Sequence, residues 1–400
     1  MSNNEKKTVV PRLRFPEFSG ATGWDETTLG HLCDITNGKS NAQDHIEGGE
    51  YPLFDRSEIV KGSNNFLLDC EAVIIPGEGM RFVPKYYVGK FDLHQRSYAL
   101  KDFTCSGLFV YYAMILNSQL LAKKAVQSTV LSLRLPILQN FPIVLPKTIQ
   151  EQQKIADCLS SLDALVAAEK EKLEALKAHK RGLMQRLFPA EGETVPQLRF
   201  AGFEGEWEER TLDGIGVFSK GKGISKLDVV NDGVLPCIRY GELYTHYSET
   251  ISQIKSYTNL PPNELVLSEI NDVIIPASGE TAEDIAKASC VKVAGVALGG
   301  DLNIIRTNAD GVFVSYYLNS KKREQIARMA QGIAVVHLYS SQLKNLSVCI
   351  PSLEEQRQIA NCLSSLDDII TTQTEKIENL KLHKKALMQQ LFPSTYEAGQ

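Results

Sequence analysis

The sequence predicts an α+β chain: two mixed α/β domains separated by a long antiparallel helical coiled-coil spacer, laid out as a pseudo-twofold internal repeat. Three observations carry the prediction. The chain repeats itself in order, the best-matched part of the repeat has a heptad period, and the blocks between hold short β-rich runs broken by turn residues. The expected segments are a first domain over 11–146, a first spacer helix over 147–190, a second domain over 196–350 and a second spacer helix over 351–393.

The repeat begins with Pro11-Arg-Leu-Arg-Phe15, which returns as Pro196-Gln-Leu-Arg-Phe200. Each copy is followed by a lone tryptophan, Trp24 or Trp207, then by Thr28-Leu29 or Thr211-Leu212 and by Gly38-Lys39 or Gly221-Lys222. Further on, Glu151-Gln-Gln-Lys-Ile-Ala-Asp-Cys-Leu-Ser-Ser-Leu-Asp163 returns as Glu355-Gln-Arg-Gln-Ile-Ala-Asn-Cys-Leu-Ser-Ser-Leu-Asp367. His179-Lys-Arg-Gly-Leu-Met-Gln-Arg-Leu-Phe-Pro189 returns as His383-Lys-Lys-Ala-Leu-Met-Gln-Gln-Leu-Phe-Pro393. The intervening blocks match only in fragments, such as Val73-Ile-Ile-Pro76 with Val273-Ile-Ile-Pro276 and Tyr112 with Tyr316. A duplicated scaffold carrying two different readers is the simplest account.

The well-matched segments read as helices. Ile155, Leu159, Leu162, Val166, Glu169, Leu173, Leu176, Lys180, Leu183 and Leu187 alternate spacings of four and three. Ile359, Leu363, Leu366, Ile370, Gln373, Ile377, Leu380, Lys384, Leu387 and Leu391 repeat the pattern. Such a seam packs one helix against another. Pro146 and Pro351 precede the helices, and Pro189 and Pro393 stop them. In an antiparallel pair Glu169 is expected near Lys384 and Lys180 near Gln373, although solvated ends explain these polar seam positions equally well. About 38 residues at 1.5 Å each make a rod of roughly 57 Å. A generic dimerisation coiled coil stands as the alternative to an internal pair.

Within the blocks, strands are expected at 72–76, 141–145, 264–267, 272–276 and 346–350, and helices at 108–121 and 312–331. Composition excludes several classes. The formal net charge of −5 argues against a general nucleic-acid binder, so any DNA face is a local patch. The 8 cysteines form no Cys-x-x-Cys pair and the 7 histidines do not cluster with them, so no metal site or disulfide framework is expected. Cys158 and Cys362, at matching places, read as small packing residues. No apolar run approaches the ~18–20 residues of a membrane span. The N-terminal Met1-Ser-Asn-Asn-Glu-Lys-Lys7 lacks the apolar stretch of a signal peptide, so a cytoplasmic protein is expected.

Trp-acidic-x-x-Thr-Leu followed by a Gly-Lys loop resembles the opening of a target-recognition domain. The helix that opens on Glu-Gln-x-x-Ile-Ala four or five positions after a proline, and closes on Leu-Met-Gln-x-Leu-Phe-Pro, resembles the shared helical region of type I restriction–modification specificity subunits. The resemblance spans 11–393. It implies a DNA-reading subunit without catalytic role, in which each domain reads one half of a split double-stranded target. It also implies two methyltransferase subunits and further restriction subunits as partners. S-adenosylmethionine would belong to the methyltransferase, ATP and magnesium to the restriction subunit, and no cofactor or metal to this chain.

The residues agree with an absence of catalysis. The only Pro-Pro, Leu260-Pro-Pro-Asn263, lacks the polar and aromatic groups of an adenine methyltransferase loop. Cys33–Ser40 lacks the first glycine of a P-loop, and Gly216–Gly223 lacks its hydroxyl. A self-contained nuclease or methyltransferase and a coiled-coil scaffold without DNA binding are the competing readings. Base and phosphate contacts draw on Arg, Lys, Asn, Gln, Ser, Thr and Tyr. The candidates are Lys39, Ser40, Arg56, Arg81 and Lys85 in the first block, and Lys220, Lys222, Lys226, Arg239, Tyr240 and Ser278 in the second. For each of them a solvated surface role competes with DNA contact. Lys123-Lys124 and Lys321-Lys322-Arg323 close expected helices, where the helix dipole accounts for them as well as a phosphate does.

Overall fold

The computed structural model describes residues 9–127, 130–332 and 335–393; the N-terminal heptapeptide lies outside them. The chain divides into two compact units. One comprises the described residues up to Lys170 together with those from Glu375 onward, and the other is Glu171–Thr374. Each unit therefore takes one block, the first part of the long helix after it, and the last part of the other long helix.

Those helices are Ile149–Leu187 and Leu353–Leu391, 39 residues each. The heptad seam is the packed stripe. In the first unit Ile155, Leu159, Val166 and Ile377 are buried and Leu162 and Leu380 half-buried; in the second, Leu173, Ile359 and Leu363 are buried and Leu176, Leu366 and Ile370 half-buried. In the first unit Lys376 pairs with Glu169 at 2.5 Å and Lys384 with Asp163, so the two stretches run antiparallel. In the second unit Lys180 pairs with Asp367 at 2.6 Å and with Glu249 at 3.2 Å. This corrects the expected register. Lys384 meets Asp163 rather than Glu169, and Lys180 meets Asp367 rather than Gln373. The aspartates lie just off the seam beside Leu162 and Leu366, where a lysine reaching across can also lie over a tyrosine ring. Lys384 sits 5.0 Å from the Tyr112 ring centroid and Lys180 5.0 Å from that of Tyr316. The same two phenols donate to Asp163, at 2.8 Å, and to Asp367.

The Glu-Gln pair that opens each long helix fastens it to its domain. Glu151 accepts two hydrogen bonds from Arg14, both at 2.7 Å, and one from the Trp24 indole at 3.3 Å. Glu355 accepts two from Arg199, both at 2.8 Å. The neighbouring glutamines bridge backbone to backbone: Gln152 accepts from Ser106 N–H and donates to Pro146 O, while Gln356 accepts from Asp310 N–H and donates to Pro351 O. Ser106 and Asp310 are themselves the N-caps of the helices Gly107–Leu116 and Gly311–Tyr317. The Leu-Phe-Pro ends complete the cores. Phe392 packs on Phe109 and Trp24 at ring distances of 5.0 and 6.1 Å, and Phe188 on Phe313 and Trp207 at 5.5 and 6.5 Å.

Each block is built on sheet. In the first unit six strands run in the order Asp34–Asn37, Ser97–Lys101, Leu68–Pro76, Lys85–Leu93, Tyr51–Phe54 and Lys61–Ser63. All neighbours are antiparallel except Tyr51–Phe54, which pairs in parallel with Lys85–Leu93. The second unit repeats this strand order in two five-stranded sheets, with Val229–Val230 and Thr250–Ile251 as added edge strands. The counterpart of Leu68–Pro76 is broken into Val266–Leu267 and Asp272–Pro276, and the counterpart of Tyr51–Phe54 is Leu235–Ile238, parallel to Ala297–Leu298. The break falls at Asn271, whose φ of 81° an asparagine tolerates better than most residues. Its amide donates to Ala309 O and its oxygen accepts from Gly311 N–H, which holds the kink. The expected helix at 108–121 is two helices, Gly107–Leu116 and Ser118–Lys124. That at 312–331 contains a π-helical turn, Leu318–Lys322.

Candidate nucleic-acid interface

The Gly-Lys pairs sit at strand ends where two chain segments touch. Gly38 N–H donates to Ser97 O at 3.3 Å and Lys39 N–H to Leu93 O at 3.0 Å; Gly221 N–H donates to Leu302 O at 3.1 Å and Lys222 N–H to Leu298 O at 2.9 Å. A Cβ added to Gly38 would lie 1.9 Å from Leu93 O, and one added to Gly221 1.9 Å from Gly299 O. Only glycine fits so close an approach. The lysine that follows is held by its backbone while its side chain is exposed in both units.

Around Lys39 in the first unit lie three further segments. Arg56 follows the strand Tyr51–Phe54, Glu78 follows Leu68–Pro76, and Arg96 precedes Ser97–Lys101. Arg56 and Arg96 both reach Glu78 Oε2, at 3.5 and 2.8 Å. Beneath them Asp92 accepts from the hydroxyls of Ser40, at 2.7 Å, and Ser63, at 3.0 Å. Burial pushes Asp55 up, but Lys61 at 2.7 Å and the hydrogen bonds from Ser57 outweigh it and leave the carboxyl below its usual value. His94 is pushed down, chiefly by burial and then by the charges of Arg56, Arg96 and Lys61 against the pull of Asp55.

The second unit places different groups on the same backbone. The strand Leu235–Ile238 runs into Arg239 and Tyr240, just as Tyr51–Phe54 runs into Asp55 and Arg56. Ala277 N–H donates to Asp301 O at 2.8 Å, as Gly77 N–H donates to Arg96 O. Arg239, Tyr240, Ser225, Gly299, Gly300 and Asp301 line a recess of about 230 Å³. The recess includes Ile224, whose φ of 61° is a strained value for a β-branched residue. Lys220, Lys222 and Lys226 are exposed beside it.

The eleven sequence candidates thus fall into two groups. Lys39, Arg56, Arg81, Lys220, Lys222 and Lys226 are exposed, and Arg239 and Tyr240 are half-buried at the recess. The other three are engaged within the fold. The Ser40 hydroxyl is engaged by Asp92. Lys85 is half-buried, donates to Ser57 O at 2.5 Å and has its pKa lowered by burial. Ser278 is 5% exposed and pairs with His337 across two short strands. The aromatic residues interleaved near Lys85 are packing groups too: Phe82 is buried, and Tyr87 lies against Phe54 at 5.4 Å. Lys321 lies in the π-helical turn Leu318–Lys322 rather than at the close of its helix, and it donates to Gln185 O at 2.8 Å, near the end of the first long helix. Sequence reasoning missed Glu78 and Arg96 as a cluster, since Arg96 belongs to no repeated motif. Glu78 follows Val73-Ile-Ile-Pro76 at the same distance as Ser278 follows Val273-Ile-Ile-Pro276, a sequence signal that points to this place. Among the described residues there is no group of acidic, histidine or cysteine side chains able to hold a metal, and no helix long and apolar enough to cross a membrane.

Both blocks match known proteins. The family model of the type I restriction modification DNA specificity domain matches residues 21–178 and again 204–382. The chain is similar to the type I restriction enzyme EcoDI specificity subunit of Escherichia coli, 31% identical over 153 residues, which are 38% of this chain and 34% of that protein. It is similar nearly end to end to the MjaVIII specificity subunit of Methanocaldococcus jannaschii, 23% identical over 95% of this chain and 93% of that one. Its fold is similar to the crystal structure of a type I restriction–modification S subunit from M. genitalium, with a TM-score of 0.64 at 17% identity, covering 96% and 100% of the two chains. Two matched domains, each built on a sheet that offers a lysine-bearing strand-end loop, place the chain in the family of type I restriction–modification DNA specificity subunits.

Proposed function

We propose that this chain is the non-catalytic reader of a bipartite double-stranded DNA target, each domain reading one half-site. The observation that carries the reading is the twofold use of one loop scaffold, Gly38-Lys39 and Gly221-Lys222 with their strand-end neighbours, under different side chains. A protein that read the same bases twice would need no such divergence. The paired long helices set the gap between half-sites and offer surface to two methyltransferase subunits, with restriction subunits joining that assembly. S-adenosylmethionine acts in the methyltransferase and ATP with magnesium in the restriction subunit; this chain supplies base contacts, phosphate contacts and placement.

Methylation mapping tests this. The chain is co-expressed with its methyltransferase partner in a methylation-free host and modified adenines are sequenced. The expected result is a split motif with a fixed gap, lost when the chain is omitted; exchanging 201–350 for another recognition block changes one half only. A continuous motif, or one that persists without the chain, refutes the proposal and leaves the helical-scaffold alternative. Adding four residues to each long helix lengthens it by about 6 Å, or roughly two base pairs. The gap should grow while the half-sites stay fixed.

A further inference from the structure

We propose that Arg96, together with Arg56, reads guanine in the half-site of the first domain, and that Glu78 is the residue that positions both guanidinium groups. The inference rests on the DNA-reading role proposed above. Both arginines use Nη1 on the single Glu78 oxygen Oε2, at 2.8 and 3.5 Å. Their side chains are each 57% exposed while that of Glu78 is 18% exposed, so the carboxylate lies beneath and the guanidinium groups lie outside. Among the described residues the other guanidinium N–H groups of each arginine meet no acceptor, which leaves them for a planar partner with two acceptors, as the O6/N7 edge of guanine offers in the major groove.

The backbone fixes this cluster from both sides. Gly77 N–H donates to Arg96 O at 2.8 Å and Gly79 N–H to Leu131 O at 3.1 Å, so Glu78 is held between two anchored neighbours. Glu78 also bridges to Ser132. A Cβ on Gly77 would lie 2.5 Å from Arg96 O, so glycine permits the close approach of the two segments. Arg96 N–H donates to His94 Nδ1 at 3.1 Å and Ser97 N–H to His94 O at 2.9 Å, which ties down the turn bearing Arg96. Burial keeps His94 toward its neutral form, able to accept that bond.

Stability does not explain the arrangement, because exposed ion pairs contribute little. Phosphate binding explains it poorly as well. A carboxylate beneath the two cations opposes a second anion, whereas the uncharged edge of a base incurs no such repulsion. Fixed in orientation and partly neutralised, the pair favours a base over the backbone.

The test uses the chain in complex with its methyltransferase partner and duplexes carrying every single-base change in the first half-site, with binding measured across salt concentrations. Wild type is expected to favour guanine at one position by roughly ten- to a hundred-fold. R96A and R96K should both bring that preference to about two-fold or less, R96K without changing the salt dependence, since it keeps the charge and loses the planar fork. Glu78→Gln should weaken the same preference and raise affinity for all sequences. Preferences in the second half-site should not move, which serves as the internal control for folding. A uniform loss of affinity in R96A with preferences intact identifies a phosphate contact and overturns the proposal, as does a first half-site without a G·C pair or an R96K that retains the preference. If no sequence preference depends on this chain at all, the reading of the protein as a DNA reader falls with it; if only the second half-site survives scrutiny, the guanine assignment alone is lost.

Discussion

The two units share their fastenings and differ in their faces. Arg14–Glu151 and Arg199–Glu355, Gln152 and Gln356, Tyr112–Asp163–Lys384 and Tyr316–Asp367–Lys180, and Phe392 and Phe188 are the same contacts made twice. At the strand ends the same backbone positions carry Arg56, Glu78 and Arg96 in one unit and Tyr240, the buried Ser278 and Asp301 in the other. Two cations around a carboxylate are replaced by a phenol, a hydroxyl and an anion. The ion pairs, glutamine bridges, tyrosine contacts and phenylalanine ends that tie a domain to the helices are kept, and what faces outward is free to change. This separation lets recognition diverge without cost to folding, because the loops hold their shape through backbone hydrogen bonds such as those of Lys39 and Lys222 rather than through the side chains that would read bases.

The largest effects are expected where the fastenings are cut. Glu151→Ala removes one partner of a buried pair and should destabilise the first unit by about 3–5 kcal/mol. Glu355→Ala should do the same to the second unit and leave the first unchanged. The protein's only two tryptophans, Trp24 and Trp207, report one unit each, so denaturant unfolding of single-tryptophan variants separates the two. Equal loss at both tryptophans from either substitution would mean that the units do not unfold independently and that the comparison must be made on the whole chain. Tyr112→Phe and Tyr316→Phe come next, each losing a hydrogen bond to a charged group worth about 1.5–3 kcal/mol. The loss should again appear in one unit only.

Much of the fold was legible in the sequence, for reasons that differ by element. The long helices announced themselves because a heptad seam spells out both period and packing face, and prolines marked their ends. Their register was not legible: the seam lysines Lys384 and Lys180 pair with Asp163 and Asp367, just off the seam, and only the tyrosines that share those carboxylates explain why. Trp24 and the Glu-Gln pair stood out as repeats, but their mutual contact spans more than a hundred residues of chain and leaves no local pattern. At the loop face, Gly38 and Gly221 were visible because close backbone approach demands glycine. The engagement of Ser40, Lys85 and Ser278 was not legible, because residue type alone does not tell a surface hydroxyl or amine from one bonded to Asp92, to Ser57 O or held on a strand.

A smaller difference separates the tryptophans themselves. The Trp24 indole donates to Glu151, whereas the buried Trp207 indole has no hydrogen-bond partner among the described residues. Replacing either by phenylalanine sacrifices packing, but only Trp24→Phe also forfeits a hydrogen bond, so it should be the costlier change by about 1 kcal/mol. Equal costs would show that the 3.3 Å contact contributes nothing.

The smallest expected change in stability falls on the exposed lysines, and there the comparison turns from folding to DNA. Lys39→Ala and Lys222→Ala remove side chains whose neighbours are held by backbone bonds, so each should leave unfolding within about 0.5 kcal/mol of wild type. If each lysine meets one phosphate, its loss lowers the slope of log affinity against log salt by about 0.9. Lys39→Ala should then weaken binding through the first half-site and Lys222→Ala through the second, with base preferences untouched in both, since a phosphate contact positions the protein without reading sequence. An unchanged salt slope in either variant removes that lysine from the interface. A changed base preference instead moves it from the backbone to the groove, and the two loops would then differ in role as well as in their neighbours.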